Sequence, residues 1–267
     1  METRVELFTS GIWQMSSLVV LKGGAGVVVD AGYFPRELEA LSTFLAGRAR
    51  VEALAFTHAH WDHVLGPFAF PDAPVLCSAV LARWVAADAE PARVCLEEAA
   101  RYDSQWYVQR PTPYRWPSQL RGLADGERLT LGGIALQAHL LPGHTADGLA
   151  LVVEEARALL VGDHLSPCEI PFIDDAAAYC ATLRRLLGLL GAGIEEVFPG
   201  HGPRLTREQA RRIAVEDLRY VEALLDFAAR EDASGALALP LPRAQEVFGM
   251  REHHLENCAK VGLAVAK

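Results

Sequence analysis

The chain has 267 residues, of which 51% are hydrophobic and 22% are charged, values that are ordinary for a globular protein with a substantial core. Its formal net charge of −9 argues against nucleic acid as a partner. None of the five cysteines forms a C-x-x-C pair, so we expect neither a disulfide framework nor a structural zinc site. The N-terminus lacks the apolar core of a signal peptide, and no segment is long and apolar enough to span a membrane. We therefore expect a cytoplasmic protein.

The first half of the chain alternates strands and helices, an order typical of α/β proteins. Gly23-Gly24 suits a hairpin turn, Pro35 opens a helix that ends before Gly47, and Ser78 can cap the next helix. The predicted strands are residues 5–8, 17–21, 26–30, 51–56 and 74–77. The predicted helices run from residue 35 to the stop at Gly47 and over residues 79–87.

An insertion near residues 85–123 interrupts this order with prolines and aromatic side chains, and only residues 97–101 look helical. Two interpretations stand. The aromatic side chains pack on the main body, or they belong to a lid that grips an apolar substrate, because large aromatics on irregular segments suit binding surfaces. The lid interpretation makes the following residues candidates for a substrate pocket: Trp106, Tyr107, Tyr114 and Trp116.

The second half is again β-rich and then helical, which suggests two similar halves packed face to face. Gly132-Gly133 marks a hairpin, Asp174-Asp175 can cap a helix, and Thr206 with Gln209 forms a capping box. The predicted strands are residues 127–131, 134–139, 149–153, 158–161 and 195–198, and the predicted helices are residues 176–190, 207–228 and about 252–265, the last after a linker at residues 232–242.

Residues 57–63 (T-H-A-H-W-D-H) concentrate three histidines and one aspartate directly after an apolar strand. Imidazole and carboxylate groups are ligands for zinc, iron and manganese. His58 and His60 alternate by two, so an extended segment would direct both to one metal, while the following Asp62 and His63 could turn to a second. The alternative is a polar loop with surface histidines, but histidine is scarce, and this density favours a metal site.

Other polar residues also follow apolar strands, and strand ends at one edge of an α/β fold converge. We therefore expect one joint site with two metals. The expected ligands are His58, His60 and His144 for one metal, Asp62, His63 and His201 for the other, and Asp163 as the bridge. Asp30 is either a turn residue or an anchor of the metal loop, and His164 is expected to support the ligands from behind.

In combination, these motifs resemble the metallo-β-lactamase superfamily of hydrolases. The matching residues are Val29-Asp30-Ala31-Gly32, the run His58–His63, Pro142-Gly143-His144-Thr145, Gly162-Asp163 and Pro199-Gly200-His201-Gly202. The resemblance implies an αββα sandwich, an α/β fold of two mixed sheets flanked by helices, with the catalytic domain over residues 1–231 and residues 232–267 packed on it. It also implies two divalent metal ions, usually zinc and sometimes iron or manganese. The chain departs from the commonest family pattern at Thr145-Ala146-Asp147-Gly148, which leaves the ligand His144 intact.

Two cations lower the pKa of a bridging water, so that hydroxide can attack a carbonyl or phosphoryl centre, with Asp62 as the expected proton carrier. Because a fold does not fix function, we expect a hydrolase of a small-molecule ester, thioester or lactone with an apolar or aromatic acyl group. The alternatives are a phosphodiesterase or phosphonate hydrolase, a β-lactam hydrolase, and a non-catalytic binding protein. A homo-oligomer and the role of His139 are left open. His253-His254 are expected at a solvated helix start, with a role in the substrate pocket as the alternative.

Overall fold

The computed structural model describes residues 2–243 and 248–264, and over these residues the strands form two six-stranded sheets. The first sheet consists, in spatial order, of β1 (Arg4–Thr9), β2 (Ser16–Lys22), β3 (Ala25–Val29), β4 (Arg50–Ala55), β5 (Val75–Ser78) and β6 (Leu120–Leu123). The second consists, in spatial order, of β12 (Leu205–Thr206), β11 (Glu196–Phe198), β10 (Ala158–Leu160), β9 (Leu149–Val153), β8 (Ile134–Leu140) and β7 (Arg128–Leu131).

Helices cover the outer face of each sheet. The helices are α1 (Pro35–Leu45), α2 (Ala79–Ala86) and α3 (Glu90–Gln105) on the first sheet, and α4 (Ala176–Leu190), α5 (Arg207–Ala229), α6 (Ala233–Leu237) and α7 (Met250–Lys260) on the second. Alternate residues of β3 face opposite layers, so Val27 packs between the sheets while Val28 packs under α1. The predicted αββα sandwich is thus confirmed. Among the described residues, no helix combines the length and apolar character needed to cross a bilayer.

The strand directions bring the predicted polar residues to one edge. β3 pairs in parallel with β4, and β10 pairs in parallel with β11, so each pair ends on the same side. β8 and β10 are both antiparallel to β9 and therefore end together as well. The segments that follow β4, β8, β10 and β11 carry all of the predicted metal ligands. The strand ends therefore bring these ligands to one edge of the sandwich.

Several elements differ from the sequence predictions because tertiary contacts decide them. α3 is 16 residues long, since Pro91 in its first turn and buried Ala92, Cys95 and Ala99 extend it well beyond residues 97–101. β6 and β12 were not predicted, because such short strands exist only through pairing with distant strands. The predicted linker contains α6, and the last helix is Met250–Lys260. The predicted helix end at Val265 lies outside the described residues.

Candidate metal centre

The histidine-rich segment after β4 is a series of bends and a turn, with the His63 N–H donating to the His60 carbonyl oxygen over 3.1 Å. The prediction of an extended segment there is wrong, since the strand ends at Ala55. The turn nevertheless directs all four polar side chains inward. His58, Asp62 and His63 are almost fully buried.

One group of ligand atoms comes from His58, His60, His144 and Asp163, and these atoms lie within 4.8 Å of one another. The His144 Nε2 is 3.3 Å from the His58 Nε2 and 3.2 Å from the His60 Nδ1. Three ring nitrogens therefore converge on one point, as three imidazole ligands around a single cation would.

A second group comes from Asp62, His63 and His201. The Asp62 Oδ2 is 3.6 Å from the Nε2 atoms of both His63 and His201. Asp163 lies between the two groups, since its Oδ1 is 3.3 Å from the His63 Nε2 and its Oδ2 is 3.3 Å from the His144 Nε2. One carboxylate thus faces both sets of imidazoles.

The outer ring nitrogens of four histidines have fixed partners. For three of them, the Nδ1 of His63 lies 2.9 Å from the Asp30 Oδ2, that of His144 lies 2.9 Å from the Phe172 carbonyl oxygen, and that of His201 lies 2.9 Å from the Trp13 carbonyl oxygen. These oxygens can only accept, so each Nδ1 carries a proton, and in the neutral ring each Nε2 presents a lone pair inward.

Asp30 also determines the tautomer of the fourth histidine, His58. The Asp30 Oδ2 accepts the Thr57 hydroxyl over 2.6 Å, which leaves the Thr57 oxygen to accept a hydrogen bond from the His58 Nδ1 at 3.0 Å. Asp30 therefore supports one histidine in each ligand group. Its backbone adopts the left-handed region at φ 48°, a conformation that aspartate tolerates better than most residues.

The buried His63 Nε2 and Asp163 Oδ1 have no hydrogen-bond partner among the described residues. Unpaired buried polar atoms are costly and are usually satisfied by a ligand or an ion. Neutral imidazole nitrogens and carboxylate oxygens that converge in this way are the donor set of zinc, iron or manganese. The residues at this edge therefore fit divalent metal ions.

The charges of the site favour an anionic carboxylate at its centre. Burial alone would raise the pKa of Asp163, but the surrounding imidazoles hold this pKa well below its usual range. Burial opposes protonation of His63, yet the neighbouring carboxylates outweigh it and raise the pKa of this histidine to about 9. Burial lowers the pKa of His58 and His60. Cations that bind here must therefore displace protons from part of the site.

A cavity of about 630 Å³ opens above the ligands. Its floor includes His60, Asp62, His144, Asp163 and His201, its apolar wall includes Trp13, Trp61, Trp84, Val94, Tyr102 and Phe172, and its charged rim includes Glu98, Arg101, Asp174, Glu256 and Lys260. The aromatic side chains of the wall brace one another, because Trp61 stacks on Tyr102 with ring centroids 3.9 Å apart and meets Trp13 edge-on at 5.8 Å.

The four aromatic residues predicted for the pocket do not border this cavity. Trp106 lies behind its wall and contacts Trp61 and Tyr102 at centroid distances of 5.5 and 5.0 Å. Tyr107 is 92% exposed. Tyr114 and Trp116 pack under α3, where the Trp116 indole N–H donates to the Ala92 carbonyl oxygen. These two aromatic side chains brace the insertion on the main body, and α3 supplies the cavity wall instead.

Sequence reasoning missed several residues of the site. Trp61 stands inside the histidine motif, which could have indicated a place in the wall, but Trp13 is brought there only by the turn between β1 and β2. Asp147 accepts the Ala59 N–H over 2.8 Å. Glu169 borders the cavity with its carboxylate 3.7 Å from the His201 Nδ1, and burial raises its pKa to about 7.

The remaining histidines divide between the site and the core. His164 is buried behind His144, and burial lowers its pKa to about 3. His139 lies on β8 with its Nδ1 3.0 Å from the Arg185 guanidinium. His253 borders the cavity, whereas His254 is buried against Tyr220, with its Nδ1 2.8 Å from the Tyr220 hydroxyl. The predicted solvated helix start is therefore wrong for His254.

Comparisons with known proteins agree with this geometry. The chain is 37% identical over 82 residues to the "Lactamase-like protein vrtG" of Penicillium aethiopicum, covering 31% of this chain and 26% of that protein. It is 23% identical over 192 residues to an "Atrochrysone carboxyl ACP thioesterase" of Aspergillus fumigatus, covering 71% of this chain and 51% of that protein. The chain thus spans about half or less of these curated relatives.

Solved structures give longer matches. A metallo-beta-lactamase family protein from Thermus thermophilus matches with a TM-score of 0.69 at 23% identity, over 96% of this chain and 91% of that one. The protein TTHA1623 "in a di-iron-bound form" matches with a TM-score of 0.58 at 30% identity, over 78% and 98% of the two chains. The sequence profile described as "Metallo-beta-lactamase superfamily" matches residues 11–201. Since that stretch is more than half of the chain and carries every predicted ligand, the chain belongs to the metallo-β-lactamase superfamily.

Proposed function

We propose that the chain is a dinuclear metal hydrolase that cleaves a thioester whose acyl group is apolar or aromatic. The observation that carries the proposal is the position of Asp163, whose two oxygens face separate histidine groups at 3.3 Å each. A carboxylate held in this way can bridge two cations. This position of Asp163 supports the sequence-based expectation of two metal ions and a bridging hydroxide.

Two divalent cations at this edge would polarise the substrate carbonyl and make a water reactive near neutral pH. His58, His60 and His144 would hold one cation, and Asp62, His63 and His201 would hold the other. Zinc is the expected metal. The similarity to TTHA1623 in a di-iron-bound form makes iron the alternative.

Asp62 is the proton carrier in this proposal. Its carboxylate lies on the cavity floor beside the second histidine group. It accepts a proton from the water that adds to the carbonyl carbon. When the carbon–sulfur bond breaks, the same carboxyl can return that proton to the leaving thiolate.

The cavity wall supports the choice of acyl group. Trp13, Trp61 and Tyr102 line the cavity beside the metal ligands, and aromatic side chains in a pocket wall bind aromatic groups well. The thioester is favoured over other bonds because relatives at low identity carry thioesterase names. A β-lactam is the second candidate, since the "BLEG-1 B3 metallo-beta-lactamase" matches with 25% identity and a TM-score of 0.61.

The test is a panel of aryl and alkyl acyl thioesters, lactones, a β-lactam and a bis-aryl phosphate, with elemental analysis of the same preparation. We expect two cations per chain and chelator-sensitive cleavage, fastest for aryl thioesters.

Tyr102→Ala should raise KM for the aryl thioester more than for a short acyl thioester. The matched control is Tyr107→Ala, which changes an exposed side chain of the same insertion. Two bound cations with no turnover on any member would refute the hydrolase. Preferred cleavage of the β-lactam or phosphate would refute the thioester.

A further inference from the structure

The segment that connects the Asp163 turn to α4 is irregular and yet mostly buried. Over residues 167–175 it contains neither helix nor strand, and Cys168, Glu169, Ile170 and Ile173 are all nearly inaccessible. Buried backbone groups need hydrogen-bond partners, and this segment cannot supply them from its own secondary structure. Its partners therefore show what holds it in place.

The Asp174 and Asp175 N–H groups donate to the Gly143 carbonyl oxygen, next to His144. Several of the other partners come from the C-terminal part of the chain. The Arg243 Nε donates to the Glu169 carbonyl oxygen over 3.1 Å. Asn257 on α7 contacts the segment twice, since its Oδ1 accepts the Ile173 N–H at 3.0 Å and its Nδ2 donates to the Pro171 carbonyl oxygen at 2.6 Å. The last two hydrogen bonds hold the backbone on either side of Phe172.

Phe172 is the residue through which the segment reaches the metal centre. Its carbonyl oxygen faces the Nδ1 of His144 at 2.9 Å and so fixes the tautomer and the ring orientation of that ligand. Its ring stacks on His253 of α7 with centroids 3.9 Å apart. His253 and Asn257 are four residues apart and share one face of the helix, and both border the cavity.

The hydrogen bonds of Asn257 leave little freedom for another arrangement. Asn257 is 3% exposed, and besides Pro171 its Nδ2 donates to the Tyr220 hydroxyl over 3.1 Å. If the amide were inverted, its oxygen would face the Pro171 carbonyl oxygen, so that two acceptors would meet. Its NH₂ group would face the Ile173 N–H, so that two donors would meet. A buried amide costs free energy unless it is paired in this way.

We propose that Asn257 is a positioning residue for the metal ligand His144, and that α7 acts on the metal centre through the Pro171–Ile173 backbone. The inference rests on the metal centre proposed above and goes beyond it, because it gives a part of the chain outside the family match a role in metal affinity. Side chains behind metal ligands commonly change metal affinity by about 10- to 100-fold when they are removed.

The experiment compares wild type, Asn257→Leu and the control Cys258→Ala, all as full-length chains. Cys258 is the adjacent residue of α7 and is fully buried in the C-terminal hydrophobic cluster, and its thiol lies near His254 on its own helix. Zinc affinities are measured by competition with a chromophoric chelator, and the d–d absorption of the cobalt-substituted proteins reports ligand geometry. We expect Asn257→Leu to lose about 10- to 100-fold in affinity at one of two sites and to change the cobalt spectrum, while Cys258→Ala keeps both.

If Asn257→Leu does not fold, Asn257→Ser carries the same comparison, because serine keeps a polar group but is too short for both backbone contacts. A folded Asn257 variant with wild-type affinities and spectrum would overturn the inference. An equal loss in Cys258→Ala would overturn it too, since the effect would then come from helix stability alone. Wild type that binds no metal would refute the metal centre itself, whereas two cations without turnover would refute only the proposed hydrolase.

Discussion

Replacement of Asp30 by asparagine should weaken metal binding while the chain stays folded. Asp30 accepts the Thr57 N–H at 2.9 Å through Oδ1, and its Oδ2 accepts the Thr57 hydroxyl at 2.6 Å and the His63 Nδ1–H at 2.9 Å. In Asp30→Asn the amide oxygen takes the place of Oδ1 for the Thr57 N–H, so the NH₂ group takes the place of Oδ2 and meets the His63 Nδ1. His63 must then carry its proton on Nε2, the nitrogen that faces Asp163, and a protonated Nε2 cannot bind a metal.

The expected loss is largest at the site of Asp62, His63 and His201, because Asp30 contacts His63 directly and His58 only through Thr57. At that site we expect about a 10- to 100-fold loss in affinity, which corresponds to about 1.4–2.8 kcal/mol. Asp30→Ala is a poorer probe. It leaves three buried donors unpaired at about 1–3 kcal/mol each, a sum comparable to the whole stability of many domains.

The assay is a zinc titration of Asp30→Asn against a competing chelator, fitted to two sites, with thermal unfolding as a check on folding. Asp125→Asn serves as the control, because it removes the same charge from an aspartate that pairs with Arg185 on the surface. Two cations bound by Asp30→Asn with wild-type affinity would refute the argument that Asp30 sets the tautomer of His63.

Four further outcomes are expected. Asp62→Asn should lower kcat by several orders of magnitude, and near-normal turnover by a folded, metal-loaded variant would contradict its role. Gly200→Ala should weaken metal binding because a Cβ there would collide with the Asp163 Oδ1, whereas Gly188→Ala, which meets nothing within 4 Å, should bind metal normally; equal affinities in the two variants would count against this. Burial and Arg185 lower the pKa of His139 below its ordinary 6.5, so below about that pH the unfolded chain binds a proton that the folded chain does not. Urea titrations should therefore show that wild type loses stability relative to His139→Gln as the pH falls below about 6.5. Parallel stability curves for the two proteins would contradict the lowered pKa. Chelation should lower the midpoint of thermal unfolding, since a cation at 100 times its Kd stabilises by about 2.7 kcal/mol; an unchanged midpoint would argue against bound metal.

The sequence by itself determined the candidate ligands and the order of strands and helices. Each ligand lies shortly after an apolar strand. Such strands can be recognised in the sequence, because their apolar pattern and the flanking Gly or Pro residues are local properties. Metal chemistry limits the ligands to a few residue types, so a run such as His58–His63 is distinctive without any coordinates. The resemblance of these motifs to a known superfamily then implied the αββα sandwich.

Only the tertiary structure decided what surrounds the ligands. The carbonyl oxygens of Trp13 and Phe172 orient His201 and His144, and a backbone carbonyl has no side-chain identity by which a sequence could reveal it. The predicted pocket residues, Trp106, Tyr107, Tyr114 and Trp116, lie outside the cavity wall, because aromatic residues on an irregular segment can pack inward or outward and long-range contacts make the choice. Asn257 is far from His144 along the chain, and only folding brings α7 against the segment that holds this ligand.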